Sequence, residues 1–145
     1  MKEHKFMVWD KESKKMIFAK DIITQSIPCQ PTKFGFKLKS KFILREYIGR
    51  KDKNGKEIYS GDILFYITRV SFTLIPGGGR KKEIHKFFCV VKWDEDKCGF
   101  NLFDKFGCRH TNLIPEINRM KIISNIYENP NGLKNETGKL HNMKY

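Results

Sequence analysis

The fold of this chain is decided by residues 47–63, which have the sequence YIGRKDKNGKEIYSGDI. Asn54-Gly55 supplies the two positive-φ positions of a type I′ turn, whose twist matches that of the strands on either side. We therefore expect a hairpin with one short strand on each side of this turn. Gly61-Asp62 then ends the second strand, and residues 63–67 are predicted to form a further strand.

Turn chemistry accounts for the glycines and aspartates of this block. Glycine adopts positive φ without steric cost, and aspartate side chains accept hydrogen bonds from nearby backbone amides. We therefore interpret the block as setting the fold rather than the chemistry, although it is the most recognisable part of the chain. The fold-defining turn residues are predicted to be Gly49, Asp52, Asn54, Gly55, Gly61 and Asp62.

Strand signals also dominate on both sides of this block. Residues 6–9 and 16–19 flank a polar turn and predict an N-terminal hairpin, and residues 84–93 are apolar enough for a central strand. Residues 122–127 predict a last strand, and residues 115–120 are compatible with one short helical turn. Helical periodicity is otherwise nearly absent, so the sequence predicts a mainly β protein of short antiparallel strands.

Length and composition are those of one domain. A chain of 145 residues, of which 39% are hydrophobic, is enough for one ordinary domain and its core. We place the domain at residues 1–130, because residues 131–145 are polar and are predicted to be a mobile tail. No apolar run approaches the roughly 18 residues of a membrane-spanning helix, and residues 1–9 lack the apolar stretch of a signal peptide. We therefore expect a cytoplasmic location and no membrane partner.

Positive charge is spread over the whole chain. Lysine and arginine total 29 against 16 acidic residues, which gives a formal net charge of +13. There are 15 basic and 8 acidic residues up to residue 66, and 14 and 8 after it. This balance increases long-range attraction to polyanions such as nucleic acid, but a high lysine content also serves solubility alone.

The clearest amphipathic segment is residues 33–45, where apolar and basic residues alternate. Because successive strand side chains point to opposite faces, one apolar face is predicted to be buried and one basic row exposed. The row could follow a nucleic-acid backbone, or it could be the solvated face of an edge strand that deters unwanted pairing. The apolar face comprises Phe34, Phe36, Leu38, Phe42 and Leu44. The basic row comprises Lys33, Lys37, Lys39, Lys41 and Arg45.

A second basic feature follows the glycine-rich stretch Pro76-Gly77-Gly78-Gly79. Neither the spacing nor the helix of a phosphate-binding P-loop is present, so we interpret this stretch as a flexible hairpin tip that carries cations. These cations are Arg80, Lys81 and Lys82, which would either contact a nucleic-acid backbone or remain solvated.

No pattern of catalytic or metal-ligating residues stands out. Cys29, Cys89, Cys98 and Cys108 are even in number, but the cytosol favours free thiols, and no CxxC pair or zinc spacing occurs. Asp94-Glu95-Asp96 is interpreted as a solvated turn rather than a magnesium site. Because there is no nucleophile elbow, nucleophile–base spacing or phosphate loop, we expect no enzyme activity, no metal site and no cofactor.

Three segments together resemble the YopX-like family of bacteriophage and prophage proteins. They are FMVWD at residues 6–10 followed by KKM at residues 14–16, the block at residues 47–63, and IISNIYENP at residues 122–130. The segments occur in the family's order, and the match fades between them. The chain departs from the family's usual residues at Ser60, Ser124 and Asn131-Gly132.

The resemblance implies a small SH3-type barrel with an N-terminal β-hairpin elaboration, which self-associates into a homo-oligomer and is encoded by a phage. It implies no activity, because the family is functionally uncharacterised. We therefore expect an accessory protein that acts by binding, in the cytoplasm of the infected bacterium. Nucleic acid bound through its backbone is the first partner to consider. The alternative is an oligomeric module that binds a host or phage protein and no nucleic acid.

Overall fold

A computed structural model of the chain describes residues 5–18, 29–32, 35–38 and 40–135. Within these residues the protein is mainly β, as the sequence predicts. Its strands are β1 (Phe6–Asp10), β2 (Lys15–Phe18), β3 (Cys29–Thr32), β4 (Gly35–Leu38), β5 (Phe42–Lys51), β6 (Glu57–Tyr59), β7 (Asp62–Ile75), β8 (Gly79–Asp94), β9 (Gly99–Phe103) and β10 (Lys121–Asn125). A 3₁₀ helix, Thr111–Arg119, and a short α-helix, α1 (Gly132–Asn135), complete the secondary structure described.

The strands form two four-stranded antiparallel sheets. The first sheet has the order β2-β1-β5-β6, and the second has the order β10-β7-β8-β9. One of the two sheets curls into a half-barrel, which is consistent with the predicted small barrel or roll. Among the described strands, β3 and β4 pair only with each other. The finer SH3-type assignment remains a prediction.

The hydrophobic core packs against the second sheet and draws one residue from the first. It comprises Ile58, Leu64, Cys89, Val91, Leu102, Ile117 and Met120. The predicted central strand is confirmed as the inner half of β8, where Cys89, Val90 and Val91 are buried. Full burial of such aliphatic side chains contributes about 1.5–3 kcal/mol each, so this cluster is a main source of stability.

The predicted hairpin between β5 and β6 is confirmed, but its type I′ turn is wrong. Gly55 has a φ of 78°, whereas Asn54 is not among the residues with positive φ. The Gly55 N–H donates to the Asp52 carbonyl at 3.0 Å, and the Asp52 N–H donates to the Lys56 carbonyl at 2.8 Å. This is a three-residue loop, a type I turn followed by a glycine bulge.

The Asp52 carboxylate explains the difference in turn type. One of its oxygens accepts the backbone N–H groups of Asn54 at 2.8 Å and Lys56 at 2.9 Å, which fixes Asn54 in an ordinary conformation. The other oxygen accepts the N–H of Ile122 at 3.1 Å. Because Ile122 lies on β10, this buried carboxylate also ties the hairpin of the first sheet to the second sheet.

The prediction of a single alternating strand over residues 33–45 is wrong. β4 ends at Leu38, a turn includes Ser40 and Lys41, and β5 begins at Phe42. Within β5 the predicted faces are reversed, since Leu44 is 50% exposed and Arg45 only 3% exposed. Sequence alternation fixes relative faces only while one strand continues, and the turn interrupts it here. Arg45 is therefore a buried residue and not part of an exposed basic row.

Arg45 is buried because it forms an ion pair with Asp62 across the two sheets. The Arg45 Nε also donates to the Ser60 carbonyl at 2.8 Å, and the second Asp62 oxygen accepts the Tyr59 N–H at 2.8 Å. Burial raises the pKa of the Asp62 carboxyl above its ordinary value, and the adjacent guanidinium opposes that shift. Arg45 lies on β5 and Asp62 at the start of β7, so this contact joins the first sheet to the second.

Gly61, beside this ion pair, has to be glycine for two reasons. Its φ is 86°, a conformation that L side chains rarely adopt, and a Cβ at this position would overlap the Tyr127 ring. Its N–H donates to the Val91 carbonyl at 2.7 Å, and its carbonyl accepts the Ile126 N–H at 2.9 Å. The Tyr127 ring also faces the Arg45 guanidinium at 5.5 Å, which extends the junction between the sheets.

Near the C-terminus the structure contains more helix than the sequence predicts. The helical turn predicted over residues 115–120 is a longer 3₁₀ helix that starts at Thr111. Residues 132–135, predicted to belong to the polar tail, form α1, while residues 136–145 lie outside the described residues. The domain boundary at residue 130 remains a prediction. Among the residues described, no helix has the length and apolar character needed to span a membrane.

We predict that Arg45→Met lowers the free energy of unfolding by about 3–5 kcal/mol, because it leaves the Asp62 carboxylate buried without its partner. Chemical denaturation followed by circular dichroism measures this change. The double variant Arg45→Met/Asp62→Leu should recover part of the loss, since it removes the orphaned charge as well.

The control for this experiment is Lys41→Met, which breaks the exposed ion pair between Lys41 and Glu12. Lys41 lies just before β5, the strand that contains Arg45. Exposed pairs contribute little, so the unfolding midpoint should hardly change. Equal effects of Arg45→Met and Lys41→Met would contradict the role given to the buried pair.

We also predict that Gly61→Ala destabilises the protein by about 3 kcal/mol or more, because it combines backbone strain with overlap against Tyr127. Gly55→Ala is the matched control, since Gly55 has a similar φ but no atom near its Cβ position. It should show only the strain, about 1–2 kcal/mol. Thermal unfolding of both variants measures the difference, and equal losses would show that the contact with Tyr127 is unimportant.

Candidate functional site

The ladder between β7 and β8 continues far beyond the part of the sheet where β10 and β9 flank it. Their ladder extends from Ile63–Val90 to Ile75–Gly79, but β10 pairs with β7 only as far as Phe65. On the other side, β9 pairs with β8 only from Val90 onwards. In the described part of the chain, no third strand accompanies the outer part of the ladder. We call residues 68–85 the arm; it starts at an irregularity in the ladder between Ile67 and Arg69.

The sequence of the arm explains why it is a two-stranded ribbon. Residues 69–74 alternate between polar and apolar types and include β-branched and aromatic residues, all of which favour strands. At the tip, Gly77 and Gly78 have φ values of 101° and 87°, and the Gly78 N–H donates to the Ile75 carbonyl at 3.2 Å. At about 3.3 Å per residue, each strand of the arm is roughly 25 Å long.

The predicted strands over residues 63–67 and 84–93 are therefore too short. The hairpin tip itself was predicted correctly, but the strands leading to it were missed. The signal that could have identified them is the alternation from Arg69 to Leu74, which is as regular as the alternation in residues 33–45.

The register of the ladder places most of the apolar residues of the arm on one face. Directly paired residues in an antiparallel ladder point to the same side. The pairs Val70–Ile84, Phe72–Lys82 and Leu74–Arg80 therefore share one face, which we call the apolar face. The opposite face carries Arg69, Ser71, Thr73, Ile75, Lys81, Glu83 and His85.

The apolar face is open to solvent, and more so towards the tip. Val70 is 45% exposed, Phe72 64% and Leu74 75%. Ile84, opposite Val70, is 37% exposed. Large apolar side chains that lie together at these exposures mark an interaction surface more often than an ordinary surface.

The arm is also strongly basic. It carries Arg69, Arg80, Lys81 and Lys82 against one acidic residue, Glu83. Glu83 pairs with Lys81 at 3.1 Å. Arg80 and Lys82 form no ion pair within the part of the chain that the structure describes, so their charges are available to a ligand.

The other predicted cations are not brought together in the same way. Lys33 and Lys39 lie outside the described residues, and Lys37 lies on β4, where only the backbone is described. The Lys41 Nζ contacts the Glu12 carboxylate at 3.0 Å, and Arg45 is buried. Among the predicted cations whose side chains the structure describes, Arg80, Lys81 and Lys82 are the ones that lie together on one accessible element.

The acidic turn after β8 is held by an arginine. The Asp94 carboxylate is 2.6 Å from the Arg109 Nε, and the Asp96 carboxylate is 2.8 Å from its Nη2. Asp94 also accepts a hydrogen bond from the Asn101 side chain at 3.0 Å and is buried rather than solvated. Two of the three acids of this turn are therefore neutralised within the fold.

The cysteines and histidines do not assemble into a metal centre among the described residues. Burial raises the pKa of the Cys89 thiol to about 12, so it stays protonated, while Cys98 and Cys108 are exposed. The His110 Nε2 lies 2.9 Å from the Asp104 carboxylate. The hydrogen bond from His110 and those from the backbone amides of Cys108 and Phe106 hold the pKa of the Asp104 carboxyl below its ordinary value.

The chain was compared with solved structures, with curated proteins and with models of protein families. A solved crystal structure, that of protein EF1440 from Enterococcus faecalis, matches 90% of this chain and 97% of its own at 22% sequence identity, with a TM-score of 0.49. No curated protein matches the chain. The model of the family described as YopX protein matches residues 5–134, which is most of the chain. The chain therefore belongs to the YopX family.

Proposed function

We propose that this protein is a phage-encoded accessory protein of the bacterial cytoplasm that acts by binding, and that its ligand is the backbone of a nucleic acid. The single observation that carries this proposal is the arm, a ribbon outside the core that presents Arg80 and Lys82 without acidic partners among the described residues. A protruding ribbon can enter a groove or lie along a strand without disturbing the core. Its excess of cations selects a polyanion.

The mechanism is electrostatic. Lysine and arginine side chains neutralise phosphates and release condensed counterions, so affinity falls as salt rises. Contacts of this kind position a protein on the backbone but carry no base sequence. The long side chains of Arg80, Lys81 and Lys82 can adjust to the phosphates, and Lys37, Lys39 and Lys41 remain candidates for additional contacts.

We predict that Arg80→Gln/Lys81→Gln/Lys82→Gln weakens binding to DNA and RNA of any sequence. For this variant, the slope of log affinity against log salt concentration should be less steep by up to about three. Each lost phosphate contact reduces the magnitude of this slope by about 0.9. Fluorescence anisotropy with labelled oligonucleotides between low and near-physiological salt measures both quantities.

The matched control is Lys92→Gln/Lys97→Gln/Lys105→Gln, which removes the same charge from exposed positions outside the arm. If it weakens binding as much as the arm variant does, the net charge rather than the arm would be responsible. Binding that disappears near physiological salt in the unmodified protein would contradict the proposal itself.

A second candidate function is an oligomeric module that binds a host or phage protein and no nucleic acid. The observation that favours it is the unpaired backbone on both edges of the arm, since no third described strand covers β7 beyond Phe65 or β8 before Val90. Such edges accept an added strand from a partner or from another copy of the chain. Light scattering behind a sizing column tests the oligomer, and a monomer at micromolar concentration would count against it.

A further inference from the structure

We propose that the apolar face of the arm binds unpaired bases, so that the protein prefers single-stranded to double-stranded nucleic acid. This inference rests on the proposed function and adds the class of ligand and the residues that select it. Phe72 is the stacking platform, Leu74 extends it, and Arg80 and Lys82 hold the phosphates of the same strand.

The arrangement of aromatic and cationic residues carries the inference. Phe72 lies directly opposite Lys82 in the ladder, and Leu74 lies opposite Arg80. Side chains paired in this way have Cβ atoms about 4.5–5.5 Å apart, and successive pairs on one face are about 6.6 Å apart along the strand. The two outer pairs of the face therefore each offer one apolar contact and one cation, while the inner pair, Val70 and Ile84, is apolar on both strands. Nonspecific binding of single strands combines these two elements, a stacking surface and a basic track.

A duplex backbone would use only half of this surface. Duplex phosphates can contact Arg80 and Lys82, but the bases of a duplex are stacked and paired and cannot cover Phe72 and Leu74. These two side chains are 64% and 75% exposed in the free protein. Unpaired bases have free π faces that can cover both side chains.

A second copy of the chain fits the apolar face less well. The face of each copy carries two cations, Arg80 and Lys82, and no acidic residue, so packing two such faces together brings positive charge against positive charge without an acidic partner. Like charges that face each other across an interface oppose association. Charge complementarity therefore favours a polyanion over self-association on this face.

The test is fluorescence anisotropy with a labelled 20-nucleotide oligothymidine, the matching RNA, and a 20-base-pair duplex. The unmodified protein should bind the single strands more tightly than the duplex. Phe72→Ala should weaken single-strand binding at least about fivefold, the lower end of the effect of losing one aromatic–base stack. Duplex binding should stay within twofold.

Phe106→Ala is the matched control. Phe106 is another exposed phenylalanine, 80% exposed, with the Lys105 Nζ 5.0 Å from its ring centroid. It lies outside the arm, so its loss should leave all affinities unchanged. Phe72→Trp supplies a second readout, because it keeps a ring at this position. Its fluorescence, corrected for Trp9 and Trp93, should be quenched when a single strand stacks on it.

The outcomes separate the two proposals. If Phe72→Ala leaves single-strand affinity unchanged while Arg80→Gln/Lys82→Gln lowers it, the stacking role is wrong and the proposed function stands. Tighter binding to the duplex than to single strands would also overturn the stacking role alone. If the unmodified protein binds no nucleic acid, both proposals fail. If Phe72→Ala turns an oligomer into a monomer without changing single-strand affinity, the face covers a second copy of the chain and this inference is overturned.

Discussion

The buried contact between Arg45 and Asp62 is the constraint on which the rest of the structure depends. It joins β5 of the first sheet to the start of β7 in the second, where neither charge can be solvated by water. Around it, the Ser60 carbonyl accepts from the Arg45 Nε, the Met16 sulfur accepts from the Arg45 Nη1 at 3.7 Å, and the Tyr59 amide donates to the second Asp62 oxygen. A buried ion pair adds little net stability compared with an apolar pair of the same shape, but losing one partner is strongly destabilising. The pair therefore contributes more to the specific arrangement of the two sheets than to the net stability of the fold.

The position of this junction determines where the arm lies. Asp62 is the first residue of β7, and the same strand pairs with β10 as far as Phe65 and then continues to the tip at Ile75. Because one strand is buried at one end and exposed at the other, the arm continues directly from the core, and its start is marked by the ladder irregularity between Ile67 and Arg69. A base within the core sheet and an open outer part suit a protein that binds an extended ligand.

The inner half of β7 belongs to the core sheet, and its outer half belongs to the arm that carries the proposed function. The most recognisable block of the sequence, residues 47–63, supplies the glycines and aspartates that close the hairpin and join the sheets. Phe72 and Leu74, which an ordinary core would bury but which are exposed here, lie outside that block.

Much of the fold could be predicted from local sequence signals, whereas the candidate site could be predicted only in part. The Asn54-Gly55 pair predicts a hairpin, but the turn type depends on which amides the Asp52 carboxylate accepts, and residue spacing does not reveal that. The burial of Arg45 could not be predicted from alternation, because its partner Asp62 lies on a different sheet. Arg80, Lys81 and Lys82 were predicted as a basic tip. The apolar face beside them was missed, since only the pairing register shows which residues share a side.

The most direct test of the arm's role is to replace residues 68–85 with Asn-Gly, which would close the ladder after the Ile67–Lys86 pair with a two-residue turn. Thermal unfolding and nucleic-acid binding would be measured on the same shortened protein. We expect an unfolding midpoint within about 4 °C of the full chain, since the arm adds almost nothing to the core, together with loss of binding near physiological salt. A shortened protein that fails to fold, or one that folds and binds as well as the full chain, would contradict the separation of a folding core from a binding arm.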